Sequence, residues 1–138
     1  MDWERVPQIY VFGYGPMQWS VVPFQEEAGN QDRNVVNGEA LRLLADQEIK
    51  LDVAKLIGWA RAVAKGEARP TGEPFEHVDE YKLYYRCVGG AALIFALIPQ
   101  KGKLVLLLFG RSGSSTPKHG DFGKAAERWK KWRARDGN

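Results

Sequence analysis

Two near-continuous apolar runs, residues 92–98 and 103–109, form the clearest pattern in the chain. Each run has the length of a β-strand, and Pro99 and Gly102 lie between them, where a chain reversal needs such residues. Strands without polar alternation are typical of the centre of a sheet that is covered on both faces. The pattern therefore predicts a central hairpin with helices packed over it, and it predicts a buried Leu106 in the second strand.

Apolar residues at three- and four-residue spacing predict a pair of helices before this hairpin, over residues 38–46 and 51–65. Asn37 is a suitable N-cap for the first helix, and Gly66 is a suitable stop for the second. The polar residues 46–50 favour a break between the two, although one bent helix would fit the same pattern. The sequence thus predicts a helical hairpin that acts as a packing layer.

A third helix is predicted over residues 118–134, after Thr116 and Pro117, which suit the start of a helix. The formal net charge of the chain is only +3, but residues 118–135 hold seven Lys or Arg residues against Asp121 and Glu127. A local basic face suggests a polyanionic partner. A solvated helix face would have the same composition, so both interpretations stay open.

Two further segments complete the predicted sheet. Residues 18–24 have the pattern of an edge strand, and residues 80–86 alternate, so that Lys82, Tyr84 and Arg86 share one face. Nucleic-acid sites combine such groups, because cations bind phosphates and an aromatic ring stacks on a base. The wet face of an ordinary strand would also have this composition.

Length and composition predict a single domain over residues 1–138, in which residues 1–17 form an N-terminal extension. Within that extension, residues 9–12 have the composition of a short strand. The 44% apolar content is typical of a folded chain. The predicted fold class is α+β: a small antiparallel sheet, with a helical hairpin and a C-terminal helix packed on it, in the order β-α-α-β-β-β-α.

The residues that could hold a metal or form a disulfide are few. Cys87 is the only cysteine, which excludes an internal disulfide, and its apolar surroundings are more typical of a packed side chain than of a nucleophile. His77 and His119 are the only histidines, so no metal-ligand set can be assembled and no cofactor is predicted. No signal peptide and no run long enough to span a bilayer is found, and a cytoplasmic protein with no membrane partner is expected.

Over about residues 19–132 the chain resembles the RelE/ParE superfamily of small bacterial toxins, which includes HigB-type phage proteins. The likeness lies in the helical hairpin that ends in a Gly/Pro loop, the strand at residues 81–86 and the apolar hairpin at residues 93–110. It is closest over residues 109–128, which are similar to the family's strand end, basic loop with a Thr-Pro step, and closing helix. The resemblance implies a RelE/ParE-like arrangement of the predicted elements.

Members of this family that cleave mRNA on the ribosome do so without metal. Cations hold the scissile phosphate, and acid-base groups assist attack by the 2′-hydroxyl. The resemblance puts Arg111 at the family's basic residue after the last strand. It also identifies two departures: Phe122 stands near the family's tyrosine, and Ala91 and Ala92 stand where the family has an arginine. His119 would have to replace the tyrosine as the acid-base group.

The resemblance implies a toxin of a type II toxin–antitoxin-like system, bacterial or phage in origin, that cleaves mRNA on the ribosome. Its implied partners are RNA, the ribosome and an antitoxin protein, and no oligomeric state is predicted. Two alternatives remain, a ParE-like inhibitor of a topoisomerase and a phage or accessory interaction protein without catalysis. The two departures from the family pattern favour the alternatives without catalysis, whereas the clustered cationic side chains favour the nuclease. The predicted catalytic residues are Arg111 and His119, and the predicted nucleic-acid contacts are Lys82, Tyr84, Arg86, Lys118, Lys124, Arg128 and Lys131.

Overall fold

The computed structural model describes residues 19–25, 35–75 and 83–136 of the chain. This part contains three α-helices and a six-stranded sheet, so the α+β class predicted from the sequence is confirmed. The elements in chain order are β1 (Ser20–Pro23), α1 (Val35–Leu44), α2 (Lys50–Ala64), β2 (Glu73–Phe75), β3 (Leu83–Val88), β4 (Ala91–Ile98), a 3₁₀ turn (Pro99–Lys101), β5 (Lys103–Gly113), β6 (Thr116–Pro117) and α3 (His119–Asp136).

The sheet is mixed, with strand order β1-β5-β4-β3-β2 and with β6 paired to the end of β5. Strands β2 to β5 pair antiparallel, but β1 runs parallel to β5, with Ser20 opposite Lys103. The prediction of an antiparallel sheet is therefore wrong for β1. Apolar alternation in a four-residue strand reports which side chains face the core, but it carries no information on the direction of the neighbouring strand.

Helices cover the sheet on both faces. On one face, Trp59 of α2 lies with its ring centroid 5.2 Å from that of Phe95 in β4. On the other face, Phe122 of α3 makes an edge contact with Tyr85 of β3, at 5.9 Å between centroids. Residues 91–96 of β4 are fully buried as a result. The predicted position of this strand at the centre of the sheet is confirmed, as is that of β5.

Several element boundaries differ from those predicted. The first helix begins at Val35, so Asn37 lies inside it and is not its cap. The break between α1 and α2 is confirmed, because residues 45–49 are not helical. Thr116 and Pro117 do not open the last helix; they form β6, opposite Gly113 and Ser112. The two ladder contacts of this short strand outweigh the local preference of Thr-Pro for a helix start.

A β-bulge in β5 joins the sheet to two helices. The register between β4 and β5 shifts by one residue, because Ile94 pairs with Leu108 but Phe95 pairs with Leu106. Leu107 is therefore the extra residue, and a bulge leaves backbone groups without ladder partners. Arg128 Nη1 donates a 2.7 Å hydrogen bond to the Leu107 carbonyl, and the Phe109 N–H donates to Glu39 Oε1 at 3.2 Å.

The same two side chains bind each other. Arg128 Nη1 and Nη2 donate to Glu39 Oε1 and Oε2 at 3.0 and 2.8 Å, in the bidentate geometry that is strongest for this pair. Both side chains are almost completely buried. The pair connects α1, the bulge of β5 and α3, and thereby fixes the position of α3 on the sheet.

Candidate nucleic-acid interface

Residues 118–135, most of which belong to helix α3, carry seven of the 20 Lys and Arg residues of the chain. Ala125, Trp129 and Trp132 are buried against the sheet. The apolar spacing predicts this for the two tryptophans, whereas Phe122 and Ala126, which the same spacing also assigns to the core, are only half-buried. The lysines of the helix point away from the sheet, and Lys118 precedes the helix by one residue. We refer to the four exposed side chains Lys118, Lys124, Lys130 and Lys131 as the basic surface.

Aromatic packing holds the basic surface in place. The rings of Trp129 and Trp132 stack at 5.5 Å, and Lys103 of β5 lies 5.6 Å from the Trp132 centroid. Near the end of the helix, Arg135 Nη2 donates a 2.7 Å hydrogen bond to the Gln25 carbonyl. Nearer its start, Phe122 contacts the rings of Tyr85 and Phe75. Because α3 is held along its length, its lysines project from a rigid support, as a binding surface requires.

Arg111 lies within β5, opposite Ala91 of β4, and not in a loop after the strand. The run of apolar residues that predicted the strand ends at Phe109, but backbone pairing continues to Gly113. The guanidinium forms an ion pair with Asp46, in the connection between α1 and α2, and the Arg111 side chain remains 43% exposed. Arg111 is therefore accessible at the sheet end, with an internal carboxylate as its present partner.

The structure does not bring Arg111 and His119 together. A Cβ placed on Gly110 would lie 2.5 Å from Asp121 Oδ2 of α3, so residue 110 faces α3. Successive strand residues point to opposite faces, and Arg111 accordingly faces the connection between α1 and α2. His119 is exposed at the first residue of α3. These two predicted catalytic residues belong to opposite sides of the sheet.

Tyr84 and Arg86 share one face of β3, as the alternation predicts, but that face lies under α2. Tyr84 is 2% exposed and stacks on Phe95 at 5.9 Å, and burial raises the pKa of its hydroxyl. The guanidinium of Arg86 lies 4.5 Å from the Trp59 centroid and donates to Thr71 Oγ1 at 2.9 Å. Burial lowers the pKa of Arg86. The solvent-facing position expected for Tyr84 is wrong, because α2 covers it, whereas Arg86 is half-buried beneath Trp59.

Among the other predicted contact residues, Arg128 is also withdrawn from solvent by its pair with Glu39. Its position in a basic helix suggested an exposed cation. The Arg128 guanidinium instead donates its hydrogen bonds to the bulge carbonyl of Leu107 and to Glu39, inside the protein. Lys82 and His77 lie outside the described residues. The exposed members of the prediction are thus Lys118, Lys124 and Lys131, all of which belong to the basic surface.

Sequence reasoning missed three acidic residues that organise these cations. Glu39 and Asp46 bind Arg128 and Arg111 across long separations in the chain, and no local pattern indicates either pairing. Asp121 lies in the first turn of α3, where an acid is favourable. Desolvation by burial raises its pKa, with a further contribution from Glu39, while Lys124 and Lys118 act in the opposite direction.

An apolar groove of about 450 Å³ opens on the face of the sheet that carries α1 and α2. Leu106 and Phe109 of β5 form part of its floor, and Arg61 is a charged member of its wall. Leu41 stands at the groove with its side chain largely exposed. The groove and the basic surface lie on opposite faces of the sheet.

Comparison with known proteins adds no assignment: neither a protein-family model nor a curated protein matches this chain. Over residues 19–25, 35–75 and 83–136, no group of three or more His, Cys, Asp or Glu side chains is placed to hold a metal ion. No helix in the same ranges has both the length and the apolar character needed to cross a bilayer.

Proposed function

We propose that this chain is a RelE/ParE-like toxin that binds RNA through the basic surface of α3. The observation that carries this proposal is the sorting of side chains on α3: its lysines are exposed, while Ala125, Arg128, Trp129 and Trp132 are buried. Lys124 and Lys131 are seven residues apart, which places them on the same side of the helix. Lysines held on one rigid side of a helix suit the regularly spaced phosphates of a nucleic acid.

The order of the elements supports the resemblance on which the toxin part of this proposal depends. A strand, a helical hairpin, an antiparallel meander and a closing basic helix follow one another as β1, α1, α2, β3, β4, β5 and α3. The short strands β2 and β6 are additions to that order. The ribosome as the place of action and an antitoxin that covers the basic surface are further parts of the proposal.

The proposal predicts a measurable change when the lysines are neutralised. In Lys118→Gln/Lys124→Gln/Lys131→Gln, fewer counterions are released, and the slope of log K against log salt for single-stranded RNA should decrease by about 2. Fluorescence anisotropy of a labelled RNA over a salt series measures this slope. The matched control is Lys50→Gln/Lys55→Gln/Lys65→Gln, which removes the same charge from exposed positions on or beside α2.

The control should retain the wild-type slope and affinity. Wild-type binding that does not change between low and moderate salt would contradict the proposal and would favour a protein target, as in the ParE-like alternative. Equal losses in the two triple variants would also contradict it, because they would show an effect of net charge and not of the basic surface.

RNA cleavage is the second candidate function, and the exposure of Arg111 favours it. A guanidinium at the end of a central strand is held by the backbone ladder and can present a planar fork of donors to a phosphate. A phosphate would have to displace Asp46 from this guanidinium. The separation of His119 from Arg111 means that these two residues would not act on the same phosphate in the present geometry.

If the chain cleaves RNA on ribosomes, Arg111→Ala should lower the cleavage rate by at least about tenfold, the scale of one lost transition-state contact. Folding should be preserved, because a partly exposed ion pair contributes at most about 1 kcal/mol. Mapping of RNA ends after induced expression, together with a growth assay, measures this effect. Undiminished cleavage by Arg111→Ala would exclude the role of this residue, and an absence of any cleavage would exclude the nuclease.

A further inference from the structure

The turn between β5 and β6 has a backbone conformation that its residues do not favour. Gly113 pairs with Thr116, so that Ser114 and Ser115 form a two-residue hairpin loop. Their φ angles are 54° and 66°, both in the left-handed region. Two-residue loops with positive φ at both positions are usually Asn-Gly, Asp-Gly or Gly-Gly, because other L-residues are strained there.

The surrounding structure forces this conformation on the two serines. The ladder from Ser112 to Pro117 closes the hairpin, Pro117 is buried, and Thr116 Oγ1 donates a 2.8 Å hydrogen bond to the Gly113 carbonyl. A glycine at either tip position would satisfy the same geometry without strain. Strain that persists in a fixed turn is a reason to seek a function for the side chains that cause it.

The serine hydroxyls are available to a ligand. Both side chains are exposed, and neither hydroxyl has a hydrogen-bond partner in the part of the chain that the structure describes. Two exposed cations lie close by in the chain: Arg111 on the incoming strand and Lys118 after the outgoing one. Free hydroxyl donors beside cations are a common means of binding phosphate oxygens.

We propose that Ser114 and Ser115 are a phosphate-contact site for RNA, and that the strained hairpin is retained because it holds both hydroxyls exposed on a fixed turn, close in the chain to Lys118 of the basic surface. This inference rests on the proposed RNA binding and extends it from the lysines of α3 to the tip of the β5–β6 hairpin. The lysines attract phosphates by charge but do not fix their orientation. Two adjacent hydroxyls on a fixed turn can donate directed hydrogen bonds to phosphate oxygens. The hairpin would therefore set the position of the RNA backbone relative to α3.

Two double variants separate the hydroxyls from the turn. Ser114→Ala/Ser115→Ala removes the hydroxyls and keeps the disfavoured backbone, whereas Ser114→Gly/Ser115→Gly removes the hydroxyls and relaxes it. Both should bind a labelled single-stranded RNA at least about fivefold more weakly than wild type, since hydrogen bonds to a charged group are lost. The Gly variant should have a Tm above that of the Ala variant. Ser20→Ala, at an exposed serine in β1, is the control and should bind like wild type.

Affinity and Tm together decide the outcome. Loss of affinity in both double variants, with different Tm values, supports a direct contact by the hydroxyls. Wild-type affinity in the Gly variant overturns the inference, even if the Ala variant binds weakly, because turn geometry alone would then explain the effect. If wild type binds RNA and the lysine triple variant does not, the proposed function stands regardless of the serine result. If wild type does not bind RNA, both proposals fail.

Discussion

Glu39 and Arg128 are 89 residues apart in the chain, yet they form one structural unit at the bulge of β5. Their side chains satisfy each other and also two backbone groups, the Leu107 carbonyl and the Phe109 N–H. A buried ion pair alone is weak support for stability, because desolvation of two charges offsets much of their attraction. The backbone contacts change this balance, since the bulge would otherwise leave a buried donor and acceptor unsatisfied.

This unit predicts strong destabilisation by single changes at either partner. Arg128→Met should lower the free energy of unfolding by about 3 kcal/mol, because Glu39 would keep a buried charge without its partner. Urea unfolding followed by circular dichroism measures the change. Glu39→Met/Arg128→Met should lose less than the sum of the single changes, with a coupling of about 1–2 kcal/mol.

The double variant should nevertheless remain less stable than wild type, because no apolar side chain can bind the Leu107 carbonyl or the Phe109 N–H. Full recovery in the double variant would show that these two backbone contacts contribute nothing. If Arg128→Met lowers the free energy of unfolding by less than about 0.5 kcal/mol, as an ordinary surface substitution does, the buried pair is contradicted.

Among the elements, β5 shows most clearly what an apolar pattern predicts and what it does not. The near-continuous apolar run predicts a central strand, and β5 is indeed flanked by β1 and β4. It also predicted that Leu106 is buried, but Leu106 is only half-buried, because it forms the floor of the groove. Its neighbour Val105 is fully buried on the opposite face.

The two neighbours should therefore differ in their tolerance of charge. Val105→Asp should lower the free energy of unfolding by about 4 kcal/mol, since an unpaired buried carboxylate is among the most damaging changes. Leu106→Asp should cost about half as much, because the groove lets water reach the new carboxylate. Chemical denaturation of both variants tests the difference, and equal losses would mean that the groove is closed in solution.

At the scale of the whole molecule, local patterns identified the main elements but not their long-range contacts. The two central strands and the three helices follow from apolar spacing alone. The parallel pairing of β1, the cover that α2 places over Tyr84 and Arg86, and the Glu39–Arg128 pair depend on tertiary contacts between distant segments. No periodicity reports which face of a strand a distant helix will cover, so the predicted interface included residues that lie in the interior.

The candidate site was predictable to the same limited extent. Exposed lysines on the outer side of α3 follow from the helical pattern, because three- and four-residue spacing assigns the apolar residues to the sheet. The position of Arg111 relative to His119 does not follow, since it depends on how far β5 continues beyond its apolar run. The strained serine turn was also not predictable, because no local pattern in the sequence indicates that Gly113 and Thr116 form a ladder pair.

The parallel pairing of β1 has a consequence for synthesis of the protein. Residues 20–23 align with residues 103–106, a separation of about 80 positions. At ribosomal rates of roughly 5–20 residues per second, β1 is synthesised on the order of 4 to 16 seconds before its partner strand. During that interval β1 lacks the strand with which it pairs, and such distant pairings form slowly. Chaperones that shield nascent apolar segments would therefore act on β1 and the helical hairpin first, and the sheet would close only once translation has passed β5.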